Sequence, residues 1–405
     1  MTNALLLENP HRKADLILGR QSIGVQRVSG SLDENELIDS ISGHTILGIR
    51  SKTRVTRKVL ENADSLEAVG AFCIGTNQID LEAAADCGVA VFNAPYSNTR
   101  SVVELAVAEI IALTRRLTVR TERLHQGIWD KSSEHSHEVR GRTLGIIGYG
   151  NIGTQLSVLA EALGMRVIFY DIAERLALGN AKRMDSMDDV LRQADVVSIH
   201  VDGAKSNANL FGDHEFATMK DGALFINLSR GFIVDIDALR KHLLSGHLGG
   251  AAVDVFPTEP KANGEHFDSP LLGLENVILT PHVGGSTLEA QEDIAGFVAS
   301  KLVDYLTVGS TAMSVNLPNL NVQPSPQARY RVCFLHRNIP GVLSAMTKVF
   351  AKNDVNVEGQ GLATKGSLGY AITDLNDSLP GDALEQIRGF EETIRVRYLK
   401  LDPHS

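Results

Sequence analysis

Residues 143–171 read TLGIIGYGNIGTQLSVLAEALGMRVIFYD, and this stretch decides the fold. An apolar run leads into Gly148, Gly150 and Gly153, an amphipathic segment follows, and a second apolar run ends at Asp171. Glycines at these positions allow a tight turn, a close approach of the backbone to a pyrophosphate, and close packing of a helix on a strand. The N-terminus of the helix attracts phosphate groups. The stretch therefore predicts a strand–turn–helix–strand unit that binds a dinucleotide.

The acid at the end of the second apolar run indicates which dinucleotide is bound. Asp171 can accept hydrogen bonds from an adenosine ribose, and its charge would repel the 2′-phosphate of NADP. Ile172 comes next and adds no cation for such a phosphate, although Arg175 is close in the sequence. We therefore expect NAD as the cofactor.

Composition and charge narrow the class of protein. The chain has 405 residues, 43% of them hydrophobic, with 39 Lys and Arg against 49 Asp and Glu, so its net charge is −10. This length predicts two to four domains with their own cores, and an acidic chain argues against nucleic-acid binding. Cys73, Cys87 and Cys333 are odd in number and far apart, which argues against a disulfide framework or a zinc site. No apolar run approaches the length of a membrane span. We expect a cytoplasmic protein with a small-molecule substrate, no metal, and neither nucleic acid nor membrane as a partner.

Strand and helix patterns divide the chain into several units. The first hundred residues alternate β-rich runs with short helical patterns, and a helical pattern without Gly or Pro covers about residues 101–125. From residue 143 onward, six strand candidates alternate with helices, as in a doubly wound nucleotide-binding domain. Residues 316–329 contain prolines and few apolar side chains, which predicts a linker. The last 75 residues have the βαββαβ order of a ferredoxin-like domain.

A second group of polar residues follows later strands of the nucleotide-binding region. Arg230 follows the run FINLS, Asp254 lies inside the predicted strand AAVDVF, Glu259 follows in FPTEP, and His282 follows the predicted strand VILTP. Ligands of doubly wound sheets bind at the carboxyl ends of the strands, so these four side chains can meet in one crevice. An Arg can bind a carboxylate through two hydrogen bonds, and a His beside a Glu can exchange protons near neutral pH. Their spacing alone leaves ordinary structural roles open for each of them.

Four segments resemble the D-isomer-specific 2-hydroxyacid dehydrogenases: GRTLGIIGYGNIGTQ, INLSRGFIVD, AAVDVFPTEP and LTPHVGGST. The segments GIRSKTRVT and GAFCIGTNQIDLEAAADCGVAVFNAPYSNTRSVVELAVAE, with the C-terminal domain, are similar to the long bacterial branch that oxidises 3-phospho-D-glycerate. The resemblance covers nearly the whole chain. It implies an α/β protein with a Rossmann-like nucleotide-binding domain, a flavodoxin-like substrate domain and a C-terminal ferredoxin-like ACT domain.

The resemblance also implies domain boundaries and an assembly. The substrate-binding domain would begin with residues 1–97, and the NAD-binding Rossmann domain would cover 98–284. Residues 285–322 would return to the substrate-binding domain and supply the linker, and 329–405 would form the ACT regulatory domain. A homotetramer is implied by the same resemblance.

The site residues implied by the resemblance fall on matching positions of this sequence. Arg230, Glu259 and His282 are the implied catalytic residues: His282 exchanges the proton of the C2 hydroxyl, Glu259 stabilises its imidazolium, and Arg230 binds the substrate carboxylate. The implied cofactor contacts are Gly148, Gly150, Asn151, Ile152, Gly153, Asp171, Leu228, Ser229, Arg230, Asp254, His282, Val283, Gly284 and Gly285. The implied substrate contacts are Arg50, Ser51, Lys52, Asn98 and Arg230. The implied regulatory site for L-serine consists of His336, Asn338 and Asn356.

The implied function is the NAD-dependent oxidation of 3-phospho-D-glycerate to 3-phosphohydroxypyruvate, the first step of L-serine biosynthesis, with regulation by L-serine. Reduction of 2-oxoglutarate to 2-hydroxyglutarate is an alternative within the family. A non-catalytic NAD sensor is another, because transcriptional corepressors similar to this family keep the fold and the three catalytic residues. The ACT-like tail and the cations predicted to bind the phosphate end of the substrate favour a metabolic enzyme over a non-catalytic sensor. One departure is the segment Gln323–Pro326 (QPSP), where the long bacterial branch often has Gly-Gly, and its prolines predict a stiffer connection.

Overall fold

The structure is a computed structural model that describes residues 2–260 and 264–401. It divides into two compact units, one formed by Met1–Ser97 with Gln291–Ser405 and the other by Asn98–Ala290. The first unit is therefore discontinuous in sequence. The domain boundaries implied within these units stay predictions.

The first unit begins with a parallel five-stranded sheet in the order β2-β1-β3-β4-β5, which is the flavodoxin-like order. Alternate residues of β1 enter two different apolar clusters, Ala4 and Leu6 on one face and Leu5 and Leu7 on the other, so the sheet is covered on both faces. The elements are β1 (Asn3–Leu7), α1 (Lys13–Arg20), β2 (Gly24–Val28), α2 (Glu34–Ile41), β3 (Ile46–Ile49), α3 (Arg57–Glu61), β4 (Ala68–Ala71), α4 (Leu81–Asp86) and β5 (Ala90–Phe92). The sequence patterns indicated β3, β4 and β5 but neither β1 nor β2.

The second unit contains a parallel seven-stranded sheet in the order β12-β11-β10-β9-β6-β7-β8. Its strand order reverses beside β6, and this is where a doubly wound sheet opens its ligand crevice. The strands are β6 (Thr143–Ile147), β7 (Arg166–Tyr170), β8 (Lys182–Arg183), β9 (Val196–Ile199), β10 (Ala223–Asn227), β11 (Leu248–Val253) and β12 (Val277–Leu279). The helices are α5 (Thr99–Thr114), α6 (Leu117–His125), α7 (Asn151–Ala162), α8 (Met187–Gln193), α9 (Asp213–Thr218) and α10 (Ile236–Leu244).

The single helix predicted over about residues 101–125 is in fact two helices. α5 ends at Thr114, α6 begins at Leu117, and Arg116 between them has a left-handed φ of 49°. A left-handed residue interrupts a right-handed helix even without Gly or Pro. Arg116 and Arg123 then pair with Glu275 at 2.9 and 2.8 Å, which holds α6 in its new direction.

The C-terminal part of the first unit is an antiparallel sheet in the order β14-β15-β13-β16, with two helices, as expected for a ferredoxin-like domain. Its elements, with the helix before them, are α11 (Leu288–Val308), β13 (Tyr330–Arg337), α12 (Val342–Lys352), β14 (Val357–Lys365), β15 (Leu368–Leu375), α13 (Gly381–Arg388) and β16 (Thr393–Lys400). Cys333 and Tyr370 on one face of the sheet join Leu302 and Tyr305 of α11 in one apolar cluster.

The last carbonyl groups of α11 are satisfied by this sheet. Helices leave their final C=O groups without intrahelical partners, and here buried side chains of the sheet donate to them. Arg397 Nη1 donates to Tyr305 O at 2.7 Å and Arg331 Nη1 to Val308 O at 2.6 Å. The Tyr370 hydroxyl donates to the carbonyl of Gly309, the residue after the helix, at 2.7 Å. The C-terminal sheet therefore completes the end of α11.

A buried ion pair ties the same sheet to the connecting segment. Arg331 donates to both carboxylate oxygens of Asp374 at 2.6 and 3.0 Å, and both side chains are almost completely buried. Asp374 also accepts from the backbone N–H of Ser325 at 2.9 Å. The proline-containing segment is therefore fixed to the sheet as well as stiffened by its prolines.

Residues 2–260 and 264–401 contain neither a candidate membrane span nor a candidate metal site. Among these residues, no helix is both long enough and apolar enough to cross a bilayer. Nor, among them, do three His, Cys, Asp or Glu side chains come together as a possible metal site.

Candidate active site

The glycine turn between β6 and α7 has the geometry of a phosphate site. Gly148 has φ +92°, and a side-chain carbon built on it would lie 2.7 Å from the carbonyl of His200. Gly150 is the N-cap of α7, makes no side-chain cap, and has open space where a side chain would stand. The first N–H groups of the helix are therefore free to bind an anion, and the turn fits the pyrophosphate of a dinucleotide.

Asp171 is the first residue after β7 and is held in place by backbone N–H groups. Its Oδ2 accepts from Tyr149 N and its Oδ1 from Ala173 N, both at 2.8 Å. The Nε of Arg175 lies 3.5 Å from Oδ2, so the cation noted in the sequence forms an ion pair with this acid. Each carboxylate oxygen keeps one lone pair for a ribose hydroxyl.

The loop after β10 is organised by an amide that the sequence analysis did not single out. Asn227 Oδ1 accepts from the backbone N–H and the hydroxyl of Ser229 at 3.0 and 2.8 Å, and its Nδ2 donates to Arg230 O at 3.2 Å. Arg230 Nη1 donates to Ser229 O at 2.7 Å. A polar side chain at the end of a buried strand was the available signal for Asn227.

His282 and Glu259 form a hydrogen-bonded pair. His282 Nδ1 lies 2.9 Å from Glu259 Oε2 and 3.2 Å from Oε1, and the Phe256 N–H donates to Oε1 at 3.1 Å. His282 has a left-handed φ of 54°, a conformation that costs energy in a non-glycine residue and that the surrounding hydrogen bonds must hold. With Nδ1–H directed at the carboxylate, Nε2 is the nitrogen that can take up or release a proton.

The pair shifts both ionisations in the sense expected for an imidazolium–carboxylate contact. The hydrogen bond to Glu259 raises the pKa of His282 above its ordinary value, and burial offsets only part of this rise. Burial opposes the ionisation of Glu259, but hydrogen bonds from His282 and from the Phe256 N–H outweigh it and lower the pKa of Glu259. Arg230 is close enough for its charge to act on both groups, so the structure brings these three residues together.

Asp254 fixes the loop that carries His282. It is almost completely buried, and it is the first residue after β11, whereas the sequence analysis placed it inside the strand. Its carboxylate accepts from Thr280 Oγ1 at 2.6 Å and from the N–H groups of Val283 and Gly284 at 2.8 Å each. Its carbonyl accepts from the N–H of His282 at 2.8 Å. Thr280, which sequence analysis missed, is thus part of this clamp.

The predicted substrate residues lie in both units. Asn98 is the N-cap of α5, and its amide lies so close to Gly285 that a side chain at Gly285 would collide with it. Arg50, Ser51 and Lys52 belong to the first unit, in the loop at the carboxyl end of β3. The backbone N–H of Lys52 donates to the Glu8 carboxylate at 3.0 Å, so this loop is fixed at its centre.

The predicted regulatory residues lie at two places in the C-terminal sheet. His336 is buried in β13 with Nδ1 2.8 Å from Arg337 O, and Asn338 follows directly after this strand. Asn356 precedes β14, whose first residue pairs with the end of β15 beside Tyr330 rather than beside His336. Within one chain the sheet therefore brings together His336 and Asn338 but not Asn356.

Comparisons with known proteins define the class. Residues 107–284 match the family model described as "D-isomer specific 2-hydroxyacid dehydrogenase, NAD binding domain", and residues 333–395 match that of an "AHAS small subunit-like ACT domain". The chain belongs to the D-isomer-specific 2-hydroxyacid dehydrogenase family, and it is an NAD-dependent enzyme.

Individual relatives show which members of the family this chain is similar to. The chain is 47% identical to D-3-phosphoglycerate dehydrogenase of Escherichia coli K12 over 98% of this chain and 97% of that protein. It is 46% identical to D-3-phosphoglycerate dehydrogenase of Haemophilus influenzae over 98% of this chain and 96% of that protein. Among solved structures, D-lactate dehydrogenase of Aquifex aeolicus complexed with NAD and lactic acid has a TM-score of 0.65 and 25% identity, covering 76% of this chain and 96% of that one.

Proposed function

We propose that the protein oxidises 3-phospho-D-glycerate to 3-phosphohydroxypyruvate with NAD, as the first step of L-serine biosynthesis in the cytoplasm. The observation that carries this proposal is the His282–Glu259 pair, set beside Arg230 in a chain that matches D-3-phosphoglycerate dehydrogenases over nearly its full length. We also propose a slower reduction of 2-oxoglutarate, since it presents the same 2-oxo acid group.

The residues of the pair support a direct route for the proton. His282 takes the proton of the C2 hydroxyl at Nε2, and Glu259 stabilises the imidazolium that forms. Arg230 binds the substrate carboxylate and polarises the C2 oxygen. NAD, when bound, supplies the acceptor for the hydride that leaves C2. The protein's own contribution is positioning and electrostatics.

The cofactor-holding residues follow from the same geometry. The free N–H groups at the start of α7, from Asn151 and Ile152 onward, would bind the pyrophosphate, and Asp171 would accept from the adenosine ribose. The loops of Leu228–Arg230 and of His282–Gly285, with Asp254 behind the second, would hold the nicotinamide end.

We propose that Arg50, Ser51, Lys52 and Asn98 bind the phosphate end of the substrate. Two cations and a hydroxyl at the carboxyl end of β3 offer the donors that a phosphate needs. The carboxylate of Glu8, which follows β1, accepts from the backbone N–H groups of Lys52 and Thr53 on this loop, which leaves the Lys52 ammonium for an anion.

Regulation by L-serine is the second part of the proposal, with His336, Asn338 and Asn356 as its ligands. Because Asn356 lies at the other end of the sheet, these three residues would meet across paired copies of the domain, which agrees with a homotetramer. Calorimetric titration of L-serine with initial rates tests it, using Asn338→Ala for comparison. If millimolar serine neither binds nor inhibits the unsubstituted protein, regulation by serine is wrong.

A substrate panel tests the reaction. Absorbance at 340 nm would follow NAD reduction with 3-phospho-D-glycerate and D-lactate, and NADH oxidation with 2-oxoglutarate. We expect the phosphorylated acid to give the highest kcat/KM, and His282→Ala to lower turnover by about a hundredfold or more. Tight NAD binding without turnover of any acid would instead support the NAD sensor.

A further inference from the structure

One buried acid near the site has no part in the proposed chemistry. Glu109 lies in the middle of α5 and is 3% exposed, and within the described part of the chain neither of its carboxylate oxygens has a hydrogen-bond partner. An ionised carboxylate in such a place loses its hydration without compensation, so the group is held as the neutral acid.

Glu109 lies on the face of α5 whose N-terminal end packs against the loop clamped by Asp254. Val102 and Ala106 precede it by seven and three residues, so the three side chains lie on one face of α5. Val102 packs close to Gly284 in the loop that carries His282. A side-chain carbon built on Gly284 would lie 3.6 Å from Val102 Cγ2 and 2.9 Å from Asp254 Oδ2. The N-terminal end of this face therefore packs directly behind the residues that carry His282, and Glu109 lies about two helical turns further along it.

The surroundings of Glu109 are mostly apolar. The elements in contact with α5 are α6, α7, β10, β11 and β12, and the apolar cluster that contains Val102 and Ala106 also includes Ile226, Ala252, Ile278 and Leu156. The negative charge of Asp254, the residue after β11, acts on Glu109. Burial raises the pKa of Glu109 to about 8, and the negative charge of Asp254 adds to this rise.

We propose that Glu109 is a positioning residue that acts on the cofactor loop through Asp254, holding the loop firmly as an acid and loosening it when it ionises. The inference rests on the proposed function, in which the loop of His282 holds the nicotinamide end. The Asp254 carboxylate accepts three hydrogen bonds from Thr280, Val283 and Gly284, and a second negative charge beside it would weaken this arrangement by repulsion.

The test compares Glu109→Gln with the unsubstituted protein and with Glu104→Gln. The amide introduced by Glu109→Gln would keep the shape of the acid form but cannot ionise. Glu104 is a matched control, because it lies on the same helix, is exposed, and pairs with Arg100 at 2.6 Å. Calorimetry would measure the Kd for NAD between pH 6.5 and 9.5 without substrate, and kcat/KM would be followed over the same range.

We expect the Kd for NAD of the unsubstituted protein and of Glu104→Gln to rise about tenfold between pH 7 and pH 9.5, as for one unit of coupling between like charges. In Glu109→Gln the rise should be less than about twofold. An equal rise in all three proteins would overturn the role of Glu109, and so would a Kd of the unsubstituted protein that is constant across this range. The second result needs no variant, so it decides the matter even if Glu109→Gln fails to fold.

The proposed reaction and the proposed role of Glu109 can be refuted independently of each other. NAD affinity is measured without a hydroxy acid, so a wrong substrate assignment would leave the titration unaffected. Turnover of 3-phospho-D-glycerate with a pH-independent Kd would keep the proposed function and remove the inference about Glu109.

Discussion

Replacing Glu259 by Gln would test the central pair without changing its shape. The carboxylate accepts on both oxygens, from His282 Nδ1 and from the Phe256 N–H. An amide has one acceptor oxygen, and its NH2 group would face a donor on the other side. The amide side chain of this variant can therefore keep one of the two contacts, and it has no charge to stabilise an imidazolium.

The size of the effect follows from the exposure of the pair. Hydrogen bonds to charged groups contribute about 1.5–3 kcal/mol, and neutral ones about 0.5–1.5 kcal/mol. The His282 side chain is 50% exposed and that of Glu259 35%, so solvent screens their charges. We therefore take a loss of about 1.4 kcal/mol, which is about a tenfold fall in the plateau of kcat/KM.

The pH profile of kcat/KM gives a second, independent test of the role of Glu259. Hydroxy-acid oxidation needs a neutral His282, so activity rises as pH increases through its pKa. Glu259 raises that pKa, and its loss should return the pKa towards the ordinary value. The acid limb of kcat/KM should thus move to lower pH while the plateau falls.

The assay is initial-rate oxidation of 3-phospho-D-glycerate from pH 5.5 to 9. Glu138→Gln serves as control, because that acid is exposed and pairs at the surface with Arg140. An acid limb and plateau equal to those of the unsubstituted protein would show that Glu259 merely shapes its loop. A fall in the plateau with an unmoved limb would contradict the electrostatic part of the argument.

Three more changes test other parts of the structure. Asp171→Ala should weaken NAD binding and relax discrimination against NADP, since the ribose acceptor is lost and Arg175 is freed; equal initial rates with both cofactors before substitution would contradict this. Lys52→Ala should raise the KM for 3-phospho-D-glycerate about tenfold more than that for 2-oxoglutarate, as for the loss of one hydrogen bond to a charged group, and equal increases would show that Lys52 does not bind the phosphate. Arg331→Met leaves Asp374 buried without its cation and should lower the free energy of unfolding in urea by about 3–5 kcal/mol, whereas a loss below about 1 kcal/mol would show that water reaches the pair.

Much of the second unit could be predicted because its signals are local. A glycine turn after a continuous apolar run specifies both the strand and the helix that follows. Elements without such a signal were missed: β2 is half-exposed and polar, β8 has two residues, and the short apolar run of β1 fits a strand or a buried helix equally well. The break at Arg116 is invisible to periodicity, because its cause is a backbone conformation that a non-glycine residue rarely adopts.

Some residues of the candidate site could also be predicted from the sequence, whereas some of its contacts could not. Arg230, Glu259 and His282 each follow a strand, and parallel strands bring such positions to one edge of the sheet. The clamp of Asp254 on Val283 could not be inferred, because it joins backbone groups of distant segments. Glu109 had a signal, namely a carboxylate on the apolar stripe of a helix, but its partner Asp254 lies far along the chain.

The discontinuity of the first unit has a consequence for synthesis on the ribosome. Ala4 and Phe92 share one apolar cluster with Leu302 and Tyr370, so the core of this unit is complete only after its last strands have been translated. At about 5–20 residues per second, the roughly 300 residues after β5 take about 15–60 seconds to make. During that time Asn98–Ala290 can fold as one continuous segment, while the earlier strands keep an apolar face open to chaperones. The rate of translation through the second unit therefore determines how long the first unit stays incompletely folded.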